Sequence, residues 1–436
     1  MLSKVIVEGY KSFRDRHEVP LGRLTLLAGA NSSGKSSLMQ GLLLLKQTFD
    51  LSSDPGPLYL VGPHVTFERS WELTWKKQKE AALLLGLVLD EATAVEVKLK
   101  LRKKPRGAPP FMIQRCTWKR HGRELELVPQ KSVRVQEVTR WLGIAGEVPA
   151  KAKVPVEPRR TFLVPVLAGE WSEAGERFEE EIFAPVERAV RGVLHVPALR
   201  GNPTRTYPVR AYTPGAPVGS FLDYVASVLA EWQRKEDERH RREKLQAFLR
   251  KMGLTWKIQV RHYTDTQLEV LVGRTAKPLK GGAKDVVNMA DVGFGVSQVL
   301  PVLVSLLAAE PGQVVYIEQP EIHLHPNAQV ALADIVAEVV AERPVQVVLE
   351  THSQLMLVAL QRAIAQGRLP AESVILHWFE RDEEGATRIS TTGFTPDGAF
   401  ENPEVPEDFS AVADEVIRTY LEAAWTRQEE DALHYC

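Results

Sequence analysis

Cysteine is nearly absent: the 436 residues hold two, Cys116 and Cys436. That excludes a disulfide framework and a cysteine-rich metal cluster, and it fits a reducing compartment, so a cytoplasmic location is expected. Asparagine is also scarce, at positions 31, 202, 288, 327 and 402 only. Arg, Val, Leu and Pro are plentiful, a balance expected of a heat-adapted chain. No apolar run reaches the ~18 residues a membrane helix needs, so no span is expected. Nor does either sign of charge prevail: 55 Lys and Arg stand against 56 Asp and Glu, a net charge of -1. Such a chain has no global pull toward nucleic acid, and any such contact must come from a local patch. The opening Lys4-Val5-Ile6-Val7 reads as a strand rather than a leader. No internal repeat is found. What remains is a globular composition, 44% hydrophobic and 25% charged, long enough for two or three packed units.

Within it, Gly29-Ala30-Asn31-Ser32-Ser33-Gly34-Lys35-Ser36-Ser37 fits the phosphate-loop pattern G-x-x-x-x-G-K-[ST]. Leu24 to Ala28 reads as a buried strand entering the loop, and Ser36 to Phe49 as an apolar helix leaving it. Glycines let backbone N–H groups close on phosphate oxygens, and the helix N-terminus adds positive potential. In this pattern Lys35 reaches the β- and γ-phosphates and the Ser36 hydroxyl ligates Mg²⁺; Gly29, Asn31, Ser33, Gly34 and Ser37 complete the candidate ATP site.

Three further motifs share this logic. Val314 to Ile317 is an apolar strand ending in Glu318-Gln319-Pro320-Glu321, the Walker B shape, in which Glu318 holds a Mg²⁺-bound water. Leu349-Glu350-Thr351-His352-Ser353 ends another apolar strand, placing the His352 imidazole to sense a γ-phosphate. Asp291-Val292-Gly293-Phe294-Gly295-Val296-Ser297-Gln298 opens a helix whose bare N–H groups suit an anion, or simply form a helix cap.

The expected organisation is an N-terminal part of a nucleotide-binding lobe (1–65), a β-rich insertion (66–195), a helical segment and linker (196–285), the C-terminal part of the nucleotide-binding lobe (286–380) and a C-terminal extension (381–436). Val95 to Leu101 alternates as a half-buried strand. Residues 148–165, rich in Pro, Lys and Val, read as a linker or edge. Phe178 to Gly192 and Phe221 to Met252 read as helical, and a last helix is expected near 411–425.

A phosphate loop, a Gly-rich helix start, a Walker B strand and a strand-end His, in that order, resemble an ABC-class ATPase head. The likeness is to the SMC/RecF-like and OLD-like prokaryotic branch rather than to transporters. Gly9-Tyr10-Lys11-Ser12-Phe13-Arg14-Asp15 and Glu318-Gln319-Pro320-Glu321-Ile322-His323-Leu324-His325-Pro326 carry it. Pro197-Ala198-Leu199-Arg200-Gly201 and Asp397-Gly398-Ala399-Phe400 resemble a compact subgroup with a C-terminal domain of unknown function. The likeness spans roughly 1–65 and 195–410.

This resemblance implies an α/β head with a mixed, largely parallel sheet, an antiparallel β insertion and a helical insertion. It also implies dimers or higher oligomers that sandwich ATP, with Gly293, Gly295 and Ser297 acting in trans. Gly295 stands where the family signature has serine, so that hydroxyl contact is missing. Leu324 to Asn327 falls at the D-loop; a metal site at Glu321, His323 and His325 is the less favoured reading. Gln319 replaces the usual catalytic glutamate. Hydrolysis is then slow, with Gln319 orienting water, or Glu321 or Glu350 serves as base. No nuclease pattern is found, so the resemblance implies a separate effector, a nuclease or toxin, in phage defence or DNA maintenance. The competing reading is an ATP-locked scaffold that sequesters a partner; a transporter subunit is disfavoured. Two basic clusters, Lys98 to Arg106 and Arg234 to Lys244, are candidate nucleic-acid contacts and equally candidate solvated faces.

Overall fold

The computed structural model describes residues 1–78, 81–90, 93–103, 108–144, 148–149, 151–278 and 285–402. In chain order the first half holds β1 (Leu2–Glu8), β2 (His17–Pro20), β3 (Leu24–Gly29), α1 (Lys35–Asp50), β4 (Ala82–Leu89), β5 (Thr93–Leu101), β6 (Phe111–Arg120), β7 (Arg123–Leu127), β8 (Ser132–Arg134), α2 (Val135–Leu142), β9 (Lys153–Arg159) and β10 (Phe162–Pro165). Next come α3 (Ser172–Phe178), α4 (Ala184–Arg191), β11 (Leu194–Val196), β12 (Tyr207–Pro208), α5 (Val225–Arg234), α6 (Arg239–Lys251), β13 (Ile258–Thr264), β14 (Gln267–Gly273) and β15 (Val286–Asn288). The chain then runs through α7 (Phe294–Ala308), β16 (Val314–Glu318), α8 (Pro326–Glu342), β17 (Gln346–Glu350), α9 (Gln354–Ala365), β18 (Val374–Arg381) and β19 (Thr387–Thr392).

The central sheet runs β11-β16-β17-β3-β18-β19, parallel but for β19, which returns antiparallel on β18. Its strands are apolar on both faces, as a parallel sheet covered on each side requires. Successive residues divide between two cores. Leu26, Ile317, Leu349 and Leu376 face the helices α5 to α9. Leu27, Tyr316, Val348 and Phe379 face α1 and the second sheet. That second sheet is antiparallel, β2-β1-β4-β5-β6-β7, so the first two strands of the chain join the insertion strands rather than the parallel sheet. Lying between the two sheets, α1 is apolar nearly all round: Leu38, Met39, Leu42, Leu43, Leu44 and Leu45 are all buried. Each such side chain is worth about 1.5–3 kcal/mol removed from water. Lys46 is wholly buried among them, bonded to Arg191 O (2.7 Å) and Pro217 O (2.8 Å) and paired with Asp50 at 3.2 Å.

Two segments depart from their sequence reading, and a third keeps it with a local change of pitch. Residues 153–165 form β9 and β10 rather than a linker, with β10 at the edge of a three-stranded sheet: Val154 and Val156 are buried while Lys153, Pro155 and Glu157 face out, so Pro155 lies on the solvent side of a period-two pattern. The stretch 221–252 breaks into α5 and α6, because Lys235 turns extended (φ -90°, ψ 126°) at the start of a run of like-charged acids. Between α3 and α4, Glu179–Phe183 is a π-helical segment that carries the expected helix through without interruption. The helix expected near 411–425 lies outside the described residues.

Candidate functional site

Because five strands of the central sheet run parallel, their carboxyl ends share one edge, where open α/β sheets place their ligands. The loop after β3 opens there. Gly29 (φ +129°) and Gly34 (φ +117°) hold left-handed backbone that only glycine adopts cheaply. A Cβ on Gly29 would meet Phe379 O at 2.2 Å, and one on Gly34 would meet Thr387 Oγ1 at 2.4 Å. The β18–β19 hairpin thus fixes the loop: Thr387 Oγ1 donates to Ser33 O (2.7 Å) and Arg381 Nε to Ser32 O (2.8 Å). Lys35, the first residue of α1, bends back to donate to Gly29 O (2.9 Å) and Ala30 O (2.6 Å). The residue is 3% exposed, and burial lowers its pKa against the pull of Glu350.

A cavity of about 490 Å³ sits on this loop. Asn31 to Ser37 line it together with Gln319 and His352, three groups of residues the sequence singled out separately. Lys11, Glu350 and Arg381 line it too. Lys11 and Arg381 were not foreseen, although Lys11 lies in the Gly9 to Asp15 motif. Burial brings the Lys11 pKa down to about 8, with Glu72 opposing and Arg381 assisting.

Gln319 adopts φ +43°, a left-handed conformation costing a non-glycine residue about 1–2 kcal/mol. Three bonds hold this turn. Gln319 N donates to Glu350 O at 2.7 Å. Arg200 Nη2 donates to Glu318 O (2.6 Å) and Gln319 O (3.1 Å). Burial lowers the Arg200 pKa to about 10, against Glu321 and Glu318. Glu321 lies behind the cavity, its Oε1 accepting from Thr351 Oγ1 (2.8 Å) and His352 N (2.9 Å). The exposed imidazole of His352 is biased neutral by partial burial and by Lys35.

The two strand-end carboxylates differ in place and partner. Glu350, 4% exposed, accepts from Ser36 Oγ (2.8 Å) and Tyr316 OH (2.9 Å). Burial raises its pKa, with those two hydrogen bonds opposing and Glu318 adding to the rise. Glu318 does not touch Ser36. It accepts from His195 Nε2 (3.2 Å) and Ala198 N (3.1 Å), and these outweigh its burial to hold its pKa below the usual range. His195 in turn meets His64, Nδ1 to Nδ1, at 3.1 Å. Burial, His195 and Lys46 push the His64 pKa down to about 2, which keeps that ring neutral, with one nitrogen to donate and one to accept. Nothing in the sequence flagged this relay, since its three members lie far apart along the chain.

Gly293, Gly295 and Ser297 do not line the cavity of their own chain. Gly293 caps α7, and the Ser297 hydroxyl donates to Phe294 O at 2.9 Å. Gln298 Nε2 reaches Gly201 O (2.9 Å) and Asp291 pairs with Arg205 at 2.6 Å, tying this helix to the loop that carries Arg200. His325 caps α8 and His323 packs on Phe294, ring centroids 5.9 Å apart. On α6 the basic side chains meet acids: Arg239 with Glu236 and Glu243, Arg241 with Glu238 and Glu310, Lys244 with Glu338 and Glu342. Lys100, Arg102 and Lys103 lie exposed at the end of β5, while Lys104 and Arg106 fall outside the described residues.

Residues 1–98 match the family described as "AAA ATPase domain", and residues 185–358 match "AAA domain, putative AbiEii toxin, Type IV TA system". The first match covers the phosphate loop, and the second covers the Walker B strand and His352. Both are AAA-type ATPase models, and together they support an ABC-class ATPase of the SMC/RecF/OLD-like type with ATP binding and hydrolysis. No curated protein matches significantly. Among solved structures, an Smc head bound to the C-winged helix domain of ScpA is 12% identical, covering 90% of this chain and 97% of that one, with a TM-score of 0.44. The SMC head domain from Thermotoga maritima is 11% identical over 89% and 98%, at 0.36. An Smc head from Pyrococcus furiosus with an extended coiled coil, bound to the C-terminal domain of ScpA, is 11% identical over 90% and 96%, at 0.43. Among the described residues no helix is long and apolar enough to cross a membrane.

Proposed function

We propose that the chain is a slow ATP clamp: an ATPase that closes as an ATP-sandwiched dimer and, in that state, controls a separate effector. The observation that carries this reading is Gln319. It occupies the cavity wall where a general base is needed, and an amide takes no proton at neutral pH. Loss of a general base costs ~10²–10⁴ in rate. Lys35 and Ser36 bind phosphate and metal, Gln319 orients the water, and His352 reads the γ-phosphate. Glu321 steadies His352 through its backbone N–H. Lys35 exchanges its two carbonyl partners for phosphate oxygens. Gly293, Gly295 and Ser297 serve the partner's nucleotide.

Closure as a dimer is favoured by apolar side chains at the nucleotide edge. Leu199 follows β11 and is 89% exposed; Phe294, 50% exposed, packs on the turn after β16; Leu355 and Val358 follow β17. Side chains of that size left in water suit a surface that becomes covered. The match to a family described by a toxin system supports control of an effector in a toxin–antitoxin or defence setting. Direct nucleic-acid contact is favoured at Lys100 and Arg102, which lie exposed at the end of β5. Changing those two to Glu lowers DNA affinity at low salt if this is the contact; unchanged affinity removes it.

The test is oligomer mass with ATP and Mg²⁺, with phosphate release from the same sample, for wild type and Gln319→Glu. A stable wild-type assembly with little release, against a variant that turns over and dissociates, supports the clamp. Rapid wild-type hydrolysis that the variant leaves unchanged sinks it. A wild type that binds ATP but hydrolyses none, even with DNA and partner, favours the scaffold.

A further inference from the structure

Glu318 and Glu350 end neighbouring parallel strands and face each other in register, so both side chains leave the sheet on the same side. Only one reaches the phosphate loop. β17 lies between β16 and β3, and its last residue, Glu350, receives the Ser36 hydroxyl at 2.8 Å. Glu318, one strand further out, is engaged on both oxygens by His195 and Ala198. His195 is itself stacked on Tyr316, ring centroids 5.3 Å apart at 9°, which leaves the Glu318 carboxylate little freedom to swing inward.

Mg²⁺ takes oxygen ligands, keeps several waters, and in nucleotide sites is held by one or two carboxylates plus the phosphates. Among the described residues no three His, Cys, Asp or Glu side chains converge, so an all-protein cage is not what this site offers. A hydroxyl and a carboxylate beside a phosphate loop are the donors such an ion uses, and the set fits.

We propose that Glu350, not the Walker B residue Glu318, is the carboxylate that anchors nucleotide-bound Mg²⁺ beside Ser36, and that Glu318 is a positioning residue fixed by His195. This rests on the cavity being the ATP site. Ser36 turns its oxygen to the ion, and the Glu350 oxygen it leaves accepts from water in the ion's shell. Tyr316 O–H keeps the other Glu350 oxygen aligned.

The test is the affinity of a fluorescent ATP analogue, with Mg²⁺ and with chelator, for wild type, Glu350→Gln and Glu318→Gln. Electron paramagnetic resonance of Mn²⁺ bound with ATP counts the ion independently of turnover. Glu350→Gln is expected to cut the metal-dependent gain in affinity and the Mn²⁺ affinity by about tenfold or more, leaving affinity in chelator unchanged. Glu318→Gln is expected to keep most of the gain. If Glu350→Gln retains the full gain, the proposal is overturned whatever Glu318→Gln does. A melting temperature checks that each variant folds, and Glu350→Asp, which keeps the charge, should recover part of the gain. If wild type binds no analogue under either condition, the ATP site reading itself has failed.

Discussion

At Gln319 the backbone carries a conformational cost and the side chain lacks the chemistry of the residue it replaces. Restoring a carboxylate tests the second point. Gln319→Glu is expected to raise turnover by about a hundredfold, the lower end of what a general base supplies, read as phosphate release at saturating ATP. Lys35→Ala should abolish binding of a fluorescent ATP analogue while leaving the melting temperature within a few degrees. The ammonium bonds only loop carbonyls, so retained affinity would remove the loop from the nucleotide site. Lys35, Ser36, Gln319 and His352 were legible in the sequence because each sits at a fixed offset from a strand end or glycine. Glu350 was legible as a strand-end acid, but its bond to Ser36 was not. That contact joins residues some three hundred positions apart and depends on which of two adjacent strands lies nearer the loop.

In the hairpin of β18 and β19, His377 is 0% exposed, with Nε2 bonding Pro20 O at 2.7 Å and Nδ1 meeting Thr391 Oγ1 at 2.9 Å. Burial lowers its pKa to about 4, with the Pro20 carbonyl opposing. The unfolded chain takes up a proton near pH 6.5 that the folded hairpin refuses until about pH 4, so stability rises with pH across that window and is lost as pH falls through it. The contribution is at most on the order of 3 kcal/mol, from 1.36 kcal/mol per pKa unit. Melting temperature should therefore drop between pH 6.5 and 4, and less steeply in His377→Gln. An identical slope in the variant would assign the drop to other groups. Because this hairpin holds the phosphate loop through Thr387 and Arg381, nucleotide affinity should weaken over the same range. Elements were readable where apolar runs met turn chemistry, as at β3, β16 and β17. They were misread where composition hid the pattern: proline masked the alternation of β9, and the charged run between α5 and α6 held no Gly or Pro to mark its break.

For the whole molecule, Leu199→Asp and Phe294→Asp should leave ATP binding within about twofold but weaken ATP-dependent assembly by about tenfold or more, checked by mass in solution. Assembly that survives both changes would move the interface elsewhere. The loop from Ala198 to Arg205 gives such an assembly a further property. It grips the turn behind Glu318 at one end and, through Gly201 and Arg205, the start of α7 at the other. In the proposed dimer, a displacement of that turn on nucleotide entry would be carried to α7, the helix proposed to face the partner. Two sites joined in this way bind as a linked pair, each occupancy altering the next by a reciprocal factor. The saturation curve for ATP should then be sigmoidal in the assembled protein and flatten toward a simple hyperbola when Gln298→Ala and Arg205→Ala together remove these side-chain ties.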